Sequence, residues 1–310
     1  MFDGGFSATS LAVFTALAPA GAVAFACLAA FLLVNRSQSR DWRDVLAHLL
    51  FIPLAIAWVG FIASATHLGT PANALHAING LGRSPLSNEV VSAVAFLFFA
   101  GMAWMYSYRE KPKASVMNGL LAISIVCVIV MLFHTSFAYS IATVPTWDTW
   151  LTPVNLCATA LLSGPALATT VLQAARVRAG KWPYALLLIA VAALAAGTVL
   201  LVCHMNFLGT VGNNVTLASA LVPNYGWLIA AHAALAICGL AFQLHGLRLA
   251  TSRTRGLVFS VIGCAVVIIA ALLALFTFYY SYLYVFFYCV IKDTSWKQWQ
   301  AAKRLRNSPM

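Results

Sequence analysis

With 310 residues, 62% of them hydrophobic and only 8% charged, and a mean hydropathy of +0.90, this chain is too apolar for a water-soluble domain, where about a quarter of residues carry charge. Its net charge of +11 does not point to nucleic acid, because the basic residues come in small groups between apolar runs, as topology signals do. The seven cysteines (27, 127, 157, 203, 238, 264 and 289) are isolated, without CxxC or CxxCH spacing, and read as small buried hydrophobes, neither iron–sulfur ligands nor haem anchors.

The first charged residue is Asp3 and the first basic one is Arg36. The opening apolar run therefore lacks the positive start of a secretory signal and is expected to stay as a spanning helix. About 20 apolar residues are needed per crossing, and eight runs qualify: Leu11 to Val34, Val45 to Ala65, Val90 to Tyr106, Val116 to Tyr139, Val154 to Ala175, Tyr184 to Cys203, Tyr225 to Leu244, and Leu257 to about Val290. Backbone amides in hydrocarbon must be paired within their own segment, so runs of this length without strict alternation are helices. The expected fold class is an all-α polytopic membrane protein, a single domain over residues 1–310 built as a bundle of eight transmembrane helices.

Charge alternates between the connections. Arg36, Arg40 and Arg43 follow the first run, Arg109, Lys111 and Lys113 the third, Arg176, Arg178 and Lys181 the fifth, and Arg248, Arg253 and Arg255 the seventh. The connections after the second, fourth and sixth runs together hold a single Lys or Arg, Arg83. By the positive-inside rule the first set faces the cytoplasm and the N-terminus lies outside. Trp104, Tyr106, Tyr108, Trp182 and Tyr184 are expected as anchors at the inner interface, and Trp147, Trp150, Tyr225 and Trp227 at the outer one. The last run, read as one helix, would be about 51 Å long, longer than a bilayer requires. After eight crossings the basic tail, about residues 292–310 with Lys292, Lys297, Lys303, Arg304 and Arg306, would lie outside, against the charge rule.

The stretch GFIASATHLGTPANALHAINGLGRSPLSNE, from Gly60 to Glu89, joins the second and third runs at the expected outer face. It reads either as an ordinary polar loop or as a functional site, since ionisable groups beside hydrocarbon are costly to hold there. His67 is followed by Leu68, Gly69, Thr70 and Pro71, a helix-stop pattern. Ser87 and Asn88 precede Glu89, which in turn is expected to precede the third helix. A loop that leaves and re-enters the membrane on one side brings His67 and Glu89 to one depth. An imidazole and a carboxylate, both partly desolvated, make a proton-accepting pair. The substrate that suits them is lipid-soluble and releases protons as it gives up electrons, which describes a quinol. Glu89 equally suits a carboxylate stabilised by a helix N-terminus, worth about 0.3 to 1 kcal/mol.

Seven histidines (48, 67, 76, 134, 204, 232 and 245) leave a b-type haem open, either between His48 and His245 or between His134 and His204. No helix carries two histidines at the separation a stacked pair of haems needs. A small-solute transporter is a further alternative, but it would carry inverted repeats and polar residues at mid-membrane. No clear repeat is present, and the polar residues collect at the expected outer ends.

The Gly60 to Glu89 stretch, with TVPTWDTWLTP at Thr143 to Pro153, SGP at Ser163 to Pro165 and ALVPNYG at Ala220 to Gly226, resembles the membrane anchor subunit of dimethyl sulfoxide reductase. The likeness runs in order from the first helix to the seventh. It implies a multi-pass protein of the bacterial cytoplasmic (inner) membrane that oxidises menaquinol to menaquinone, binds no haem, and passes electrons to an iron–sulfur subunit of the four-cluster ferredoxin type. That partner would feed a molybdopterin catalytic subunit, so the anchor alone does not carry out the terminal reduction. The family's quinol-site histidine and the acid after Leu-Ser-Asn fall on His67 and Glu89. The expected quinol-binding set is His67, Gly69, Pro71, Arg83, Ser87 and Asn88, with Glu89 and His67 moving protons. Family members tend to carry a Glu and a Gly-Arg pair in the last helix, whereas Leu257 to Val290 holds neither Glu nor Arg.

Overall fold

A computed structural model describes residues 3–35, 40–67, 79–141, 144–177, 179–211, 217–249 and 254–279. These form nine helices: α1 (Asp3–Val34), α2 (Arg40–Leu49), α3 (Phe51–His67), α4 (Pro85–Ser107), α5 (Ala114–Ala138), α6 (Leu151–Ala174), α7 (Trp182–Leu208), α8 (Tyr225–Arg248) and α9 (Thr254–Tyr279). A 3-10 turn, Ala218–Leu221, precedes α8. Helices α2 and α3 are broken only at Leu50, because Pro53 has no N–H to give the carbonyl of Leu49. Counted together they form one crossing, so among the described residues eight segments are long and apolar enough to span a membrane. The all-α, eight-span architecture is as the sequence indicates.

Helices α1 and α6 form the centre. In α6, the least apolar of the spans, 78% of the central residues are buried, against 22% in the strongly apolar α5. Lipid tails leave no hydrophobic drive between helices, so small and hydroxyl-bearing residues go to the inside and large aliphatic ones face lipid. The hydroxyls of α6 return to their own backbone: Thr159 Oγ1 donates to Asn155 O (2.9 Å), Ser163 Oγ to Thr159 O (2.9 Å) and Thr169 Oγ1 to Pro165 O (2.9 Å). Alanines at 12, 16, 18, 20, 22 and 24 of α1 are almost fully buried and let its neighbours approach closely. Gly21 and Gly60 mark where α1 and α3 touch backbone to backbone. A Cβ on Gly21 would lie 2.6 Å from Ala57 N, and one on Gly60 would lie 2.6 Å from Ala18 N.

The helices differ from the apolar runs at their ends. Helix α4 begins at Pro85, five residues ahead of Val90, so Ser87, Asn88 and Glu89 lie within the helix and not before it. Helix α7 continues past Cys203 to Leu208. Helix α9 is described to Tyr279; the remainder of the expected long run and the basic tail lie outside the described residues. Trp150 and Trp227 are exposed, as interfacial anchors should be, but Trp147 and Tyr225 are buried in the packing between helices. Cys203 and Cys238 are exposed and not buried, since cysteine is apolar enough to face lipid as well as protein.

The contact between α1 and α3 yields a test. Gly60→Val should lower the thermal unfolding midpoint in detergent, at a cost of about 1–3 kcal/mol from overpacking. Gly101→Ala, whose added carbon would meet nothing within 4 Å, should not. Equal midpoints for both variants would refute the close packing described.

Candidate functional site

The first turn of α4 is built by the turn that precedes it. Arg83 N and Ser84 N both donate to Gly80 O (3.0 and 2.9 Å), and Gly82 takes a positive φ of 78°, which suits glycine. Pro85 then opens the helix, where a missing N–H costs nothing. Asn88 ties the pieces together. Its Oδ1 accepts from Gly82 N (2.7 Å) and its N–H reaches Ser84 O (3.1 Å), while its own carbonyl accepts from His134 Nδ1 on α5 (3.2 Å). Ser87 is buried against Gly80, whereas Arg83 is exposed. Of the expected quinol-binding residues, Ser87 and Asn88 therefore brace the turn, and Arg83 stands free of the packed interior.

Glu89 follows them inward and is only 4% exposed. Thr135 of α5 is its hydroxyl neighbour, yet neither Thr135 Oγ1 nor Glu89 Oε1 completes a hydrogen bond. Tyr139, at the end of α5, and Tyr279, at the end of α9, both lie close enough to feel its charge and pack edge-on against one another (5.7 Å). Tyr279 OH donates to Thr15 Oγ1 (3.3 Å), which donates to Leu11 O (2.8 Å). One carboxyl thus sits beside a short series of hydroxyls drawn from α5, α9 and α1.

An aromatic layer continues from there across the same end of the bundle. Trp147 packs edge-on to Tyr279 (5.5 Å) and stacks on Phe278 (4.8 Å), whose ring lies 5.9 Å from that of His204 on α7. His204 is buried, with Nε2 against Thr146 O (3.1 Å) and Nδ1 against Tyr225 OH (2.9 Å). A carbonyl can only accept, so Nε2 carries the proton and Nδ1 accepts from the tyrosine. The His134–His204 haem pairing, open on sequence grounds, thereby finds no free nitrogen on His204. His48, of the other pairing, places Nε2 at Ser107 O (3.2 Å) and stacks on Tyr108 (4.2 Å).

His67 is the last residue of α3; its side chain, together with Gly69 and Pro71, lies outside the described residues, and so does the expected pairing of His67 with Glu89. Sequence reasoning missed Thr135, Tyr139 and Tyr279 as neighbours of Glu89. Their only advance signal was a common location at helix ends on one side of the bundle. Replacing Tyr225 by Phe should leave the buried Nδ1 of His204 without its donor and destabilise the fold by about 1–3 kcal/mol, read as a lower melting midpoint. An unchanged midpoint would argue against the buried His204–Tyr225 bond.

The DMSO reductase anchor subunit (DmsC) family model matches residues 2–282. The YnfH subunit of an anaerobic dimethyl sulfoxide reductase of Escherichia coli K12 is 34% identical over 204 residues, which are 66% of the present sequence and 71% of the relative. The C subunit of the anaerobic dimethyl sulfoxide reductase of the same organism is 33% identical over 242 residues, 76% of the present sequence and 83% of the relative. The C subunit of the Haemophilus influenzae enzyme is 28% identical over 215 residues, covering 69% and 76% respectively. With eight helices among the described residues long and apolar enough to cross a membrane, and with a family match that spans all of those residues, this multi-pass membrane protein belongs to the DMSO reductase anchor subunit family.

Proposed function

We propose that this anchor oxidises menaquinol at the N-terminal end of its helix bundle and delivers the electrons to an iron–sulfur partner subunit, which feeds a molybdopterin catalytic subunit. The observation that carries the reading is Glu89, a carboxyl inside a membrane helix with one oxygen left without a hydrogen bond. Burying such a group without a partner is costly, and a protein retains it where a proton must be taken up and passed on. Oxidation of a quinol releases two electrons and two protons. In the proposed scheme His67 accepts the hydrogen bond of one quinol hydroxyl, and Glu89 takes the two protons onward in turn.

Charge asymmetry supports the direction. The basic connections lie at the opposite end from Glu89, which by the positive-inside rule sets Glu89 toward the non-cytoplasmic side, in the inner membrane of a bacterium. Protons from the quinol would leave on that side. The iron–sulfur partner would dock over the same end, where the connections Ile141 to Pro153 and Asn206 to Asn224 are found.

Two variants test the scheme in the assembled complex. His67→Arg should leave assembly intact and abolish menaquinol-driven electron flow, while reduction by an artificial donor to the partner subunits survives; normal quinol-driven rates would refute the site. Glu89→Gln keeps the shape and removes the proton acceptor. Its quinol-driven turnover should fall by about 100-fold, the low end of general acid–base contributions, with a smaller change in quinol affinity. Equal losses in affinity and rate would assign Glu89 to binding and not to proton transfer.

A further inference from the structure

At the opposite end of the bundle from Glu89, α6, α8 and α9 leave a cleft of about 280 Å3. Leu172, Leu247 and Leu257 give it apolar walls, and Gln173, Arg176 and Thr254 border it as polar groups. Beneath them α8 and α9 meet backbone to backbone. A Cβ on Gly246 would lie 2.6 Å from Gly256 O, and one on Gly256 would lie 2.7 Å from Gly246 O. No side chain from either glycine fills the gap.

Two features of the cleft call for a ligand. Both side-chain amide atoms of Gln173, Nε2 and Oε1, are shielded from solvent and make no hydrogen bond. Such a donor and acceptor pair, away from water, ordinarily finds partners. Arg176 follows the end of α6 with a left-handed φ of 54°, a conformation seldom taken by non-glycine residues. It faces no carboxylate from α6, α8 or α9, because the sequence holds no Asp or Glu between Asp148 and Asp293. Arg248, which ends α8, and Arg255, the second residue of α9, are exposed beside residues of the same cleft.

We propose that this cleft seats the headgroup of an anionic phospholipid. Phosphodiester oxygens accept from the Arg176 guanidinium and from Gln173 Nε2, as arginine and amide donors bind phosphate. A hydroxyl of the headgroup donates to Gln173 Oε1. The acyl chains lie along Leu247 and Leu257. Phosphatidylglycerol supplies all three elements. Phosphatidylcholine lacks both the net charge and the donor, and inorganic phosphate lacks the chains. Basic pockets between helices near the membrane surface are suited to such lipids.

The test is native mass spectrometry of the assembled complex reconstituted in bilayers of phosphatidylglycerol mixed with phosphatidylcholine. The unaltered protein should retain phosphatidylglycerol, and the Gln173→Leu, Arg176→Gln double variant should retain about fivefold less, the change expected for one lost basic contact at a membrane surface. Leu247→Trp, which fills the apolar wall and keeps both polar groups, should lose the lipid as well and serves if the double variant does not assemble. Equal retention of the two lipids, or wild-type retention by the variants, would overturn the proposal. Displacement of the lipid by millimolar inorganic phosphate would overturn it too, since it would show a site for free anions.

Discussion

In hydrocarbon no water stands ready to satisfy a polar group, and this requirement arranges the bundle. Helix α6, the span with the most hydroxyls, goes to the centre, and its threonines and serines bond to carbonyls of their own helix. Thr170 goes further and bonds Ser260 of α9, while Gln243 of α8 donates to Ala166 O and Thr170 Oγ1. One small polar cluster thus joins three helices that have little hydrophobic reason to associate. Around this centre the strongly apolar α5, α7 and α9 turn most of their surface to lipid.

Glu89 stands out against that rule. Several polar side chains at its end of the bundle have settled partners, Asn88 with Gly82, His134 with the Asn88 carbonyl and His204 with Thr146 and Tyr225, whereas the hydroxyls of Thr135 and Thr146 share its lack of one. The rigid turn before α4 holds the carboxyl at fixed depth, and the aromatic layer of Trp147, Phe278 and Tyr279 closes the interior behind it. A buried carboxyl with one oxygen left without a hydrogen bond is costly to keep, which is why the proposed function rests on it. The other end of the bundle has the opposite character, with arginines at the rim and no acid on α6 to α9 to balance them.

The order of the amino acids determined the class and the count. Eight apolar runs, interrupted by basic groups at every second connection, admit only a helical membrane bundle. Family-like motifs between Gly60 and Gly226 identified the anchor family. Glu89 was legible as a candidate because a carboxylate next to a membrane span is costly and therefore informative.

Tertiary structure alone decided what surrounds that carboxyl. Apolar runs end where hydropathy falls, but helices end where hydrogen bonds do, so α4 starts five residues early and takes Ser87, Asn88 and Glu89 into its first turns. Trp147 and Tyr225 have the composition of interfacial anchors, yet both are enclosed, because α9 brings Phe278 and Tyr279 over one and His204 turns toward the other. Thr15, Thr135, Tyr139 and Tyr279 come from three helices widely separated in the sequence. Periodicity reports which face of a helix is apolar; which neighbour that face meets depends on packing between distant segments, and no local pattern carries that information.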